Sequence, residues 1–286
     1  MFDYKLSDDI EVICELLGIT ATEFASQIGV SQDTITRWKN ERNEISPDNL
    51  NKVYDFAFSE GIRLNKIKEQ LFKEDCKDKN RIILFHGAKN TIEGDVSIEK
   101  SRGTNDFGKG FYCGESLEQS AMFVSGYKDS SLYIYEFDKS DLNGIQFFVD
   151  RDWMLTIAYF RGRLTGYADH PIIQEMIKKI NGKDYILAPI ADNRMFEIID
   201  SFIDGEITDV QCQHCLSATN LGNQYVFKTE KAIKQLYFKR HCYLCEKEKK
   251  YYLTSKQEES KIGNDKVKIA RKQFRGQGEY IEDILK

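Results

Sequence analysis

Three separated stretches of the chain carry residue types from which a polar binding site is built. The first is Ile82-Ile83-Leu84-Phe85-His86-Gly87, an apolar run ending on an imidazole and a residue with no side chain. The second is Asp106-Phe107-Gly108-Lys109-Gly110-Phe111-Tyr112-Cys113, followed after Ser116 by Leu117, Ser120, Ala121, Phe123 and Val124. The third is Asn223-Gln224-Tyr225-Val226-Phe227, with an amide side chain at its head. A short apolar run between turn residues reads as a buried strand. Glycine at the mouth of a strand marks a place where something approaches the backbone closely, and Ser116 reads as a helix N-cap. Each side chain alone has an ordinary explanation: His86 as a satisfied strand-end histidine, Tyr112 as core, Ser120 as a helix surface residue. Gln224 offers a carbonyl and an amide, but neither a negative charge nor a general base.

Order and spacing together are more specific than any one of these residues. A His-Gly closing one strand, a Gly-Lys-Gly-Phe-Tyr opening a second, Ser120-Ala121 shortly beyond that tyrosine and a late Asn-Gln-Tyr strand form a recognisable pattern. It resembles the NAD-binding core of ADP-ribosyltransferases of the diphtheria-toxin and poly(ADP-ribose) polymerase type. More narrowly, it resembles an uncharacterised bacterial domain family of that kind, often found behind a helix-turn-helix. The resemblance covers roughly residues 81 to 240. It implies an α+β domain built as a split β-sandwich, two small sheets flanked by helices, that uses NAD as co-substrate. The implied reaction transfers ADP-ribose to a macromolecular acceptor, protein or nucleic acid, as a toxin or phage-defence effector does.

The resemblance also implies roles. His86, Tyr112 and Gln224 would be the catalytic set. His86 would hold the adenosine ribose, and Gly87 and Gly110 would let backbone reach the cofactor, Gly87 at the nicotinamide carboxamide. Tyr112 and Phe123 would stack on the nicotinamide ring, and Ser120 would bond its carboxamide oxygen. The family carries glutamate where this chain has Gln224. Breaking the nicotinamide–ribose bond develops positive charge on the ribose, as in glycoside hydrolysis, and glutamine can orient the sugar without offsetting that charge. Three outcomes stay open: an acceptor that needs little activation, help from a nearby carboxylate with Glu206 and Asp209 as candidates, or loss of catalysis. The rival functions are a helix-turn-helix transcriptional regulator whose second domain senses NAD, and an NAD glycohydrolase with water as acceptor.

The elements that would position these residues follow from periodicity. Before them, residues 8 to about 58 read as short helices, the first over roughly Asp8 to Leu17. Thr20 caps a second helix, with Glu23 completing a capping box. Gly29-Val30 turns the chain, and Ser31 caps a third helix from Gln32 to about Arg42, with Ile35 and Trp38 inward. Helix, glycine turn, helix is the layout of a helix-turn-helix, and Thr-x-x-x-Phe-Ala, Gly-Val-Ser, Ile-x-x-Trp resembles bacterial repressor modules. Such a module would read bases with Gln32, Thr34 and Arg37, beside Asp33, and place Lys39 and Arg42 near phosphates. Charge points the other way: residues 1–75 hold 9 Lys and Arg against 15 Asp and Glu, whereas DNA binding normally leaves a basic footprint. A DNA site, an antitoxin or other protein partner, and the chain's own second domain all remain candidates for this module. The expected domains are 1–75 and 81–286, joined by a charged linker.

Beyond the glycine-rich core, strands are expected at Leu132–Phe137, Ile145–Val149 and Tyr185–Ile190. Helices are expected at Trp153–Phe160, at Met195–Phe202 after Asp192, from Thr208 to near Ala218, at Lys231–Lys239, and in the tail from Lys266 to Lys286. With 41% hydrophobic and 30% charged residues, a net charge of −5 and only 3 prolines, the composition is that of a soluble globular protein. No apolar run approaches the roughly 20 residues that span a bilayer, and the N-terminus lacks a signal-peptide layout, so a cytoplasmic place and no membrane partner are expected. Seven cysteines fit a reducing compartment better than a disulfide framework. Cys212-x-x-Cys215 and Cys242-x-x-Cys245, with His214 and His241 beside them, have spacing compatible with zinc. Both pairs also fall in helical patterns, where cysteines three apart form an apolar stripe, so no metal is assigned.

Overall fold

In the computed structural model, residues 4–40, 45–219 and 221–286 are described. Five helices come first: α1 (Leu6–Leu17), α2 (Ala21–Gln27), α3 (Gln32–Lys39), α4 (Pro47–Ser59) and α5 (Leu64–Asp75). They are followed by β1 (Arg81–Ala88), β2 (Phe111–Gly114), α6 (Leu117–Val124), β3 (Ser131–Asp138) and β4 (Gly144–Gln146). Next come α7 (Arg151–Phe160), α8 (Pro171–Ile180), β5 (Tyr185–Pro189), α9 (Asn193–Ile203) and α10 (Asp209–Ser217). The chain ends with β6 (Asn223–Phe227), α11 (Glu230–Ile233), β7 (Leu236–Cys242), α12 (Glu246–Gln273) and α13 (Ile281–Ile284). The fold is α+β, with an all-α N-terminal region.

The chain folds as two compact units. One comprises Met1–Gly94, Leu117–Glu136 and Phe238–Thr254. Within it, Ile10, Ile13, Phe24, Ile35, Trp38, Val53 and Tyr54 form the core of the N-terminal helices, and Cys245, just beyond β7, joins that core. β1, β3 and β7 lie side by side in that order. Ile83 and Phe85 of β1 pack with Leu117, Ala121 and Val124 of α6 and with Cys242 and Tyr252. The other unit comprises Asp95–Ser116, Phe137–Tyr237 and Ser255–Lys286. Here the strand order is β4-β5-β6-β2. β4 and β5 are parallel, while β6 runs antiparallel to both β5 and β2. Its core gathers Trp153, Ile157, Ile186, Ile199, Phe202, Leu216 and Val226.

Caps account for the helix starts that the sequence places well. Thr20 and Glu23 form the reciprocal capping box, Ser31 accepts from the Thr34 amide, Asp192 from Met195 and Thr208 from Gln211. Other segments differ from expectation. Lys231–Lys239 is not one helix: α11 stops at Ile233 and β7 begins at Leu236. The aromatic pair Tyr237-Phe238 and the buried Arg240-His241-Cys242 suit a strand better than the lysines suit a helix. The strand expected at Ile145–Val149 is the shorter β4, Gly144–Gln146. The third helix ends at Lys39, and Arg42 lies outside the described residues. The tail helix begins at Glu246, twenty positions before the expected Lys266, and runs unbroken through Gly263. A Cβ on Gly263 would stand 2.0 Å from Arg194 Nη1, and Arg194 Nη1 donates to the Ser260 carbonyl at 3.1 Å. That glycine makes room for a guanidinium and does not break the helix.

Candidate functional site

α3 is held down by Ile35 and Trp38, 1% and 5% exposed. Gln32, Asp33, Thr36 and Arg37 stand on its solvent side, with Thr34 half-buried at its start. Thr34 is partly consumed by the cap, its hydroxyl 2.8 Å from Ser31 Oγ. Arg37 Nε donates back to the Asp33 carbonyl at 3.3 Å, which lays the guanidinium along the helix. Lys39 is paired with Glu11 of α1 at 2.7 Å and helps fix α3 to its neighbour. The helix therefore presents a polar face of both charge signs on a rigid apolar base.

The residues implied by the resemblance to an NAD site fall in both units. In the first unit, His86 sits half-buried on β1, its ring 6.4 Å from that of Tyr133. Ser120 on α6 is buried and its hydroxyl donates to the Phe85 carbonyl at 3.3 Å. A Cβ on Gly87 would stand 2.5 Å from the Ser120 carbonyl oxygen and 2.9 Å from Val124, so Gly87 and Ser120 are neighbours and the helix–strand contact itself requires the glycine. Phe123 lies on the outer side of α6 and is 62% exposed.

In the second unit, Tyr112 and Gln224 are on the antiparallel pair β2–β6, with Gly114 opposite Gln224. The Tyr112 hydroxyl donates to the Gly108 carbonyl at 2.7 Å and accepts from the Phe107 amide at 3.2 Å. Burial pushes that phenol well above its ordinary range, which keeps it a neutral donor. Lys228 holds the same turn, donating to the carbonyls of Phe107, at 2.7 Å, and of Lys109. Burial lowers its ammonium. Gly108 has φ +71° and faces the Phe160 ring, and a Cβ on Gly110 would meet Val226 at 2.7 Å. The glycines of this turn are explained by the turn's own packing.

Gln224 is 7% exposed. Its Nε2 donates to Asp106 Oδ2 at 2.9 Å and to the Pro189 carbonyl at 3.2 Å. Arg161 closes the cluster, donating to Asp106 Oδ1 through Nε at 2.8 Å and Nη2 at 2.5 Å, and also to the Ala191 carbonyl. Its guanidinium lies 4.3 Å from the Phe196 ring. The carboxylate in contact with Gln224 is thus Asp106. Neither sequence candidate bonds it: Asp209 is bound to Arg151 and to the Glu279 amide, and Glu206 faces Arg271 at 3.9 Å. The role of Asp106 could have been suspected only from its place at the head of the glycine-rich stretch.

The cysteine pairs differ in kind. Cys212 and Cys215 lie buried on α10, their thiols directed at the carbonyls of Ile198 at 3.6 Å and Val267 at 3.7 Å. Cys242 ends β7 and Cys245 precedes α12, so the second pair is not helical. Burial raises all four thiols. Among the described residues no group of three or more His, Cys, Asp and Glu is placed to hold a metal ion, and no helix is long and apolar enough to cross a membrane.

Comparison with known protein families matches two segments of the chain. Residues 10–53, which span α2, the glycine turn and α3, match a helix-turn-helix family model. No curated protein and no solved structure matches the chain. Residues 82–238, more than half of the chain, match the family described as "Protein of unknown function (DUF3990)", and the chain belongs to that family.

Proposed function

We propose that the chain is a helix-turn-helix DNA-binding regulator whose DUF3990 domain senses a ligand. The observation that carries this reading is the outer face of α3: Gln32, Thr36 and Arg37 exposed, Ile35 and Trp38 buried beneath them, inside the segment that matches the helix-turn-helix family. In such modules the N-terminal side chains of the second helix reach base edges in the major groove. Arginine and glutamine are the residues whose paired donors and acceptors match guanine and adenine there. The acidic surroundings weaken the sequence-independent attraction to phosphates, so discrimination must come from base contacts. The test is selection of duplexes from a random pool by the full chain, followed by titration of the winning site with Arg37→Ala. A winning sequence that Arg37→Ala no longer binds supports the reading; no enrichment over the pool overturns it.

A second reading makes the DUF3990 domain an NAD enzyme that transfers ADP-ribose, or one that hydrolyses NAD. What favours it is the apposition of Gly87 and Ser120, the two residues that the resemblance assigns to the nicotinamide carboxamide. What weighs against turnover is Gln224, a neutral amide engaged with Asp106. Incubation with labelled NAD and lysate separates the readings. Label carried into a macromolecule, absent with His86→Ala/Tyr112→Ala, supports transfer. Free nicotinamide alone supports hydrolysis, and neither product returns the weight to sensing.

A further inference from the structure

Within the first unit the helix-turn-helix helices are seated on the corner where β7 turns into α12, and the seat is a cluster of buried polar groups. Asn65 of α5, 1% exposed, donates through Nδ2 to the Tyr243 carbonyl and to Glu248 Oε2, both at 2.9 Å. Glu248 of α12 is 6% exposed. Among the described residues its second oxygen has only the Tyr252 hydroxyl, at 3.4 Å, long for a bond of that kind.

A buried carboxylate ordinarily has an ion-pair partner or several donors. The nearby cations are taken elsewhere: Lys68 Nζ lies 2.6 Å from Asp9, and Arg240 is bonded to Asp8 and Asp9. Beside Glu248, Asn65 Oδ1 is buried with no hydrogen-bond partner. Lys68 and Arg240 are thus assigned to α1, and Arg63 donates to the Phe58 carbonyl at 2.8 Å, so among the described residues the α5–α12 contact rests on a carboxyl group with no cation bonded to it.

We propose that Glu248 is a proton-operated latch: neutral, it holds α5 and the helix-turn-helix on the β7–α12 corner, and ionised, it loosens them. The titratable and charged groups that face it are Arg63 and Lys68 from the α5 side, Cys242 of β7, Cys245 in the turn after it, and Tyr252 of α12; Asp9 of α1 stands behind Lys68. Burial is the largest influence on Glu248 and lifts its carboxyl to about 7, against the downward pull of Asn65 and Lys68. A carboxyl raised in the closed state and ordinary in the open one favours closure below its ordinary value of 4.5. That preference drains away as pH rises towards 7 and is spent above it. The latch does not depend on what α3 contacts.

The test is amide exchange of α5 in the full chain between pH 5 and 8, expressed as protection factors so that the intrinsic pH dependence cancels. The parent is expected to lose protection by up to about tenfold per pH unit between 5 and 7. Glu248→Gln, which stays neutral, is expected to hold its protection across the range. His241, buried in a stack between Tyr4 and Tyr133, is present in both proteins, so the difference between them belongs to Glu248. Identical profiles for parent and variant overturn the proposal. Should Glu248→Gln not fold, direct titration of the parent's glutamate carboxyls by carbon NMR decides: a Glu248 midpoint near 7 supports the latch, and one near 4.5 overturns it.

Discussion

Gln224 Nε2 donates to Asp106 Oδ2 at 2.9 Å across 118 positions of sequence, and this contact explains why an amide and not a carboxylate stands at the head of β6. A glutamate there would set two buried carboxylates against each other, with Arg161 already committed to the far oxygen of Asp106. Like charges at that distance cannot both ionise without large cost. Gln224→Glu is therefore expected to lower stability by about 2–4 kcal/mol at pH 7. The loss should shrink towards pH 5, where protonating one carboxyl removes the clash, and Asp106→Asn in the same chain should recover most of it. Urea unfolding of the parent and the two variants at both pH values checks this; an undiminished Gln224→Glu would show that the strand yields freely at this point.

A second buried carboxylate organises the other unit. Asp9 is 2% exposed and accepts from the Tyr54 hydroxyl, Lys68 Nζ and Arg240 Nη2 at 2.6, 2.6 and 2.7 Å. Lys68 and Arg240 share this anion, and Arg240 also bonds Asp8 at 3.0 Å. Asp9→Asn keeps the shape but leaves buried Lys68 without a carboxylate and Arg240 with Asp8 alone, and a loss of about 3–5 kcal/mol is expected. Arg240→Met alone should cost less, because Lys68 and Asp9 remain a pair. A double-mutant cycle on Asp9 and Arg240 should return a coupling of at least 1 kcal/mol, and a coupling near zero would mean that the pair is incidental.

How far the sequence revealed this architecture depends on range. Signals carried by neighbours were readable: the Thr20–Glu23 capping box, Ser31 before α3, the turn at Gly29, and Asp192 and Thr208 before their helices. Signals that compete locally were not. Lys231 to Lys239 mixes helix-forming lysines with Tyr237-Phe238, and sheet pairing decides the matter against local propensity. The tail helix, expected from Lys266, starts at Glu246 and passes through Gly263, whose space the Arg194 guanidinium fills. The contacts that define the candidate sites were out of reach altogether. Asp106 meets Gln224, and Asp9 meets Arg240, only because distant strands and helices bring them together. Nothing in the residues around Gln224 tells which carboxylate it will meet: Glu206 and Asp209 are near in sequence, yet the one bonded to it is Asp106.

The acidic surroundings of α3 make a prediction about salt. Proteins that bind DNA through many phosphate contacts lose affinity steeply as salt rises. With 15 acidic against 9 basic residues over positions 1–75, and Lys39 already paired with Glu11, few phosphate contacts are available. Affinity for the selected duplex should therefore fall only weakly between 50 and 200 mM salt, in the range expected for one to three phosphate contacts. Arg37→Ala should cost about 1–3 kcal/mol on that duplex and much less on unrelated sequences. A loss spread equally over all sequences would move Arg37 from base reading to phosphate contact.

Removal of metal should leave the fold unchanged. A structural zinc site needs thiolates, and the environment of Cys212 and Cys215 does the opposite of making them: burial raises both thiols, and each faces a backbone carbonyl that can only accept. Melting temperature in the presence of a strong chelator should match that of the untreated chain. Cys212→Ala and Cys215→Ala should each cost about 1–2 kcal/mol, through lost packing alone, and the cost should be the same with and without chelator. If chelation instead lowers the melting point and abolishes the difference between parent and variants, the two thiols are ligands, and α10 must move to bring them to the ion.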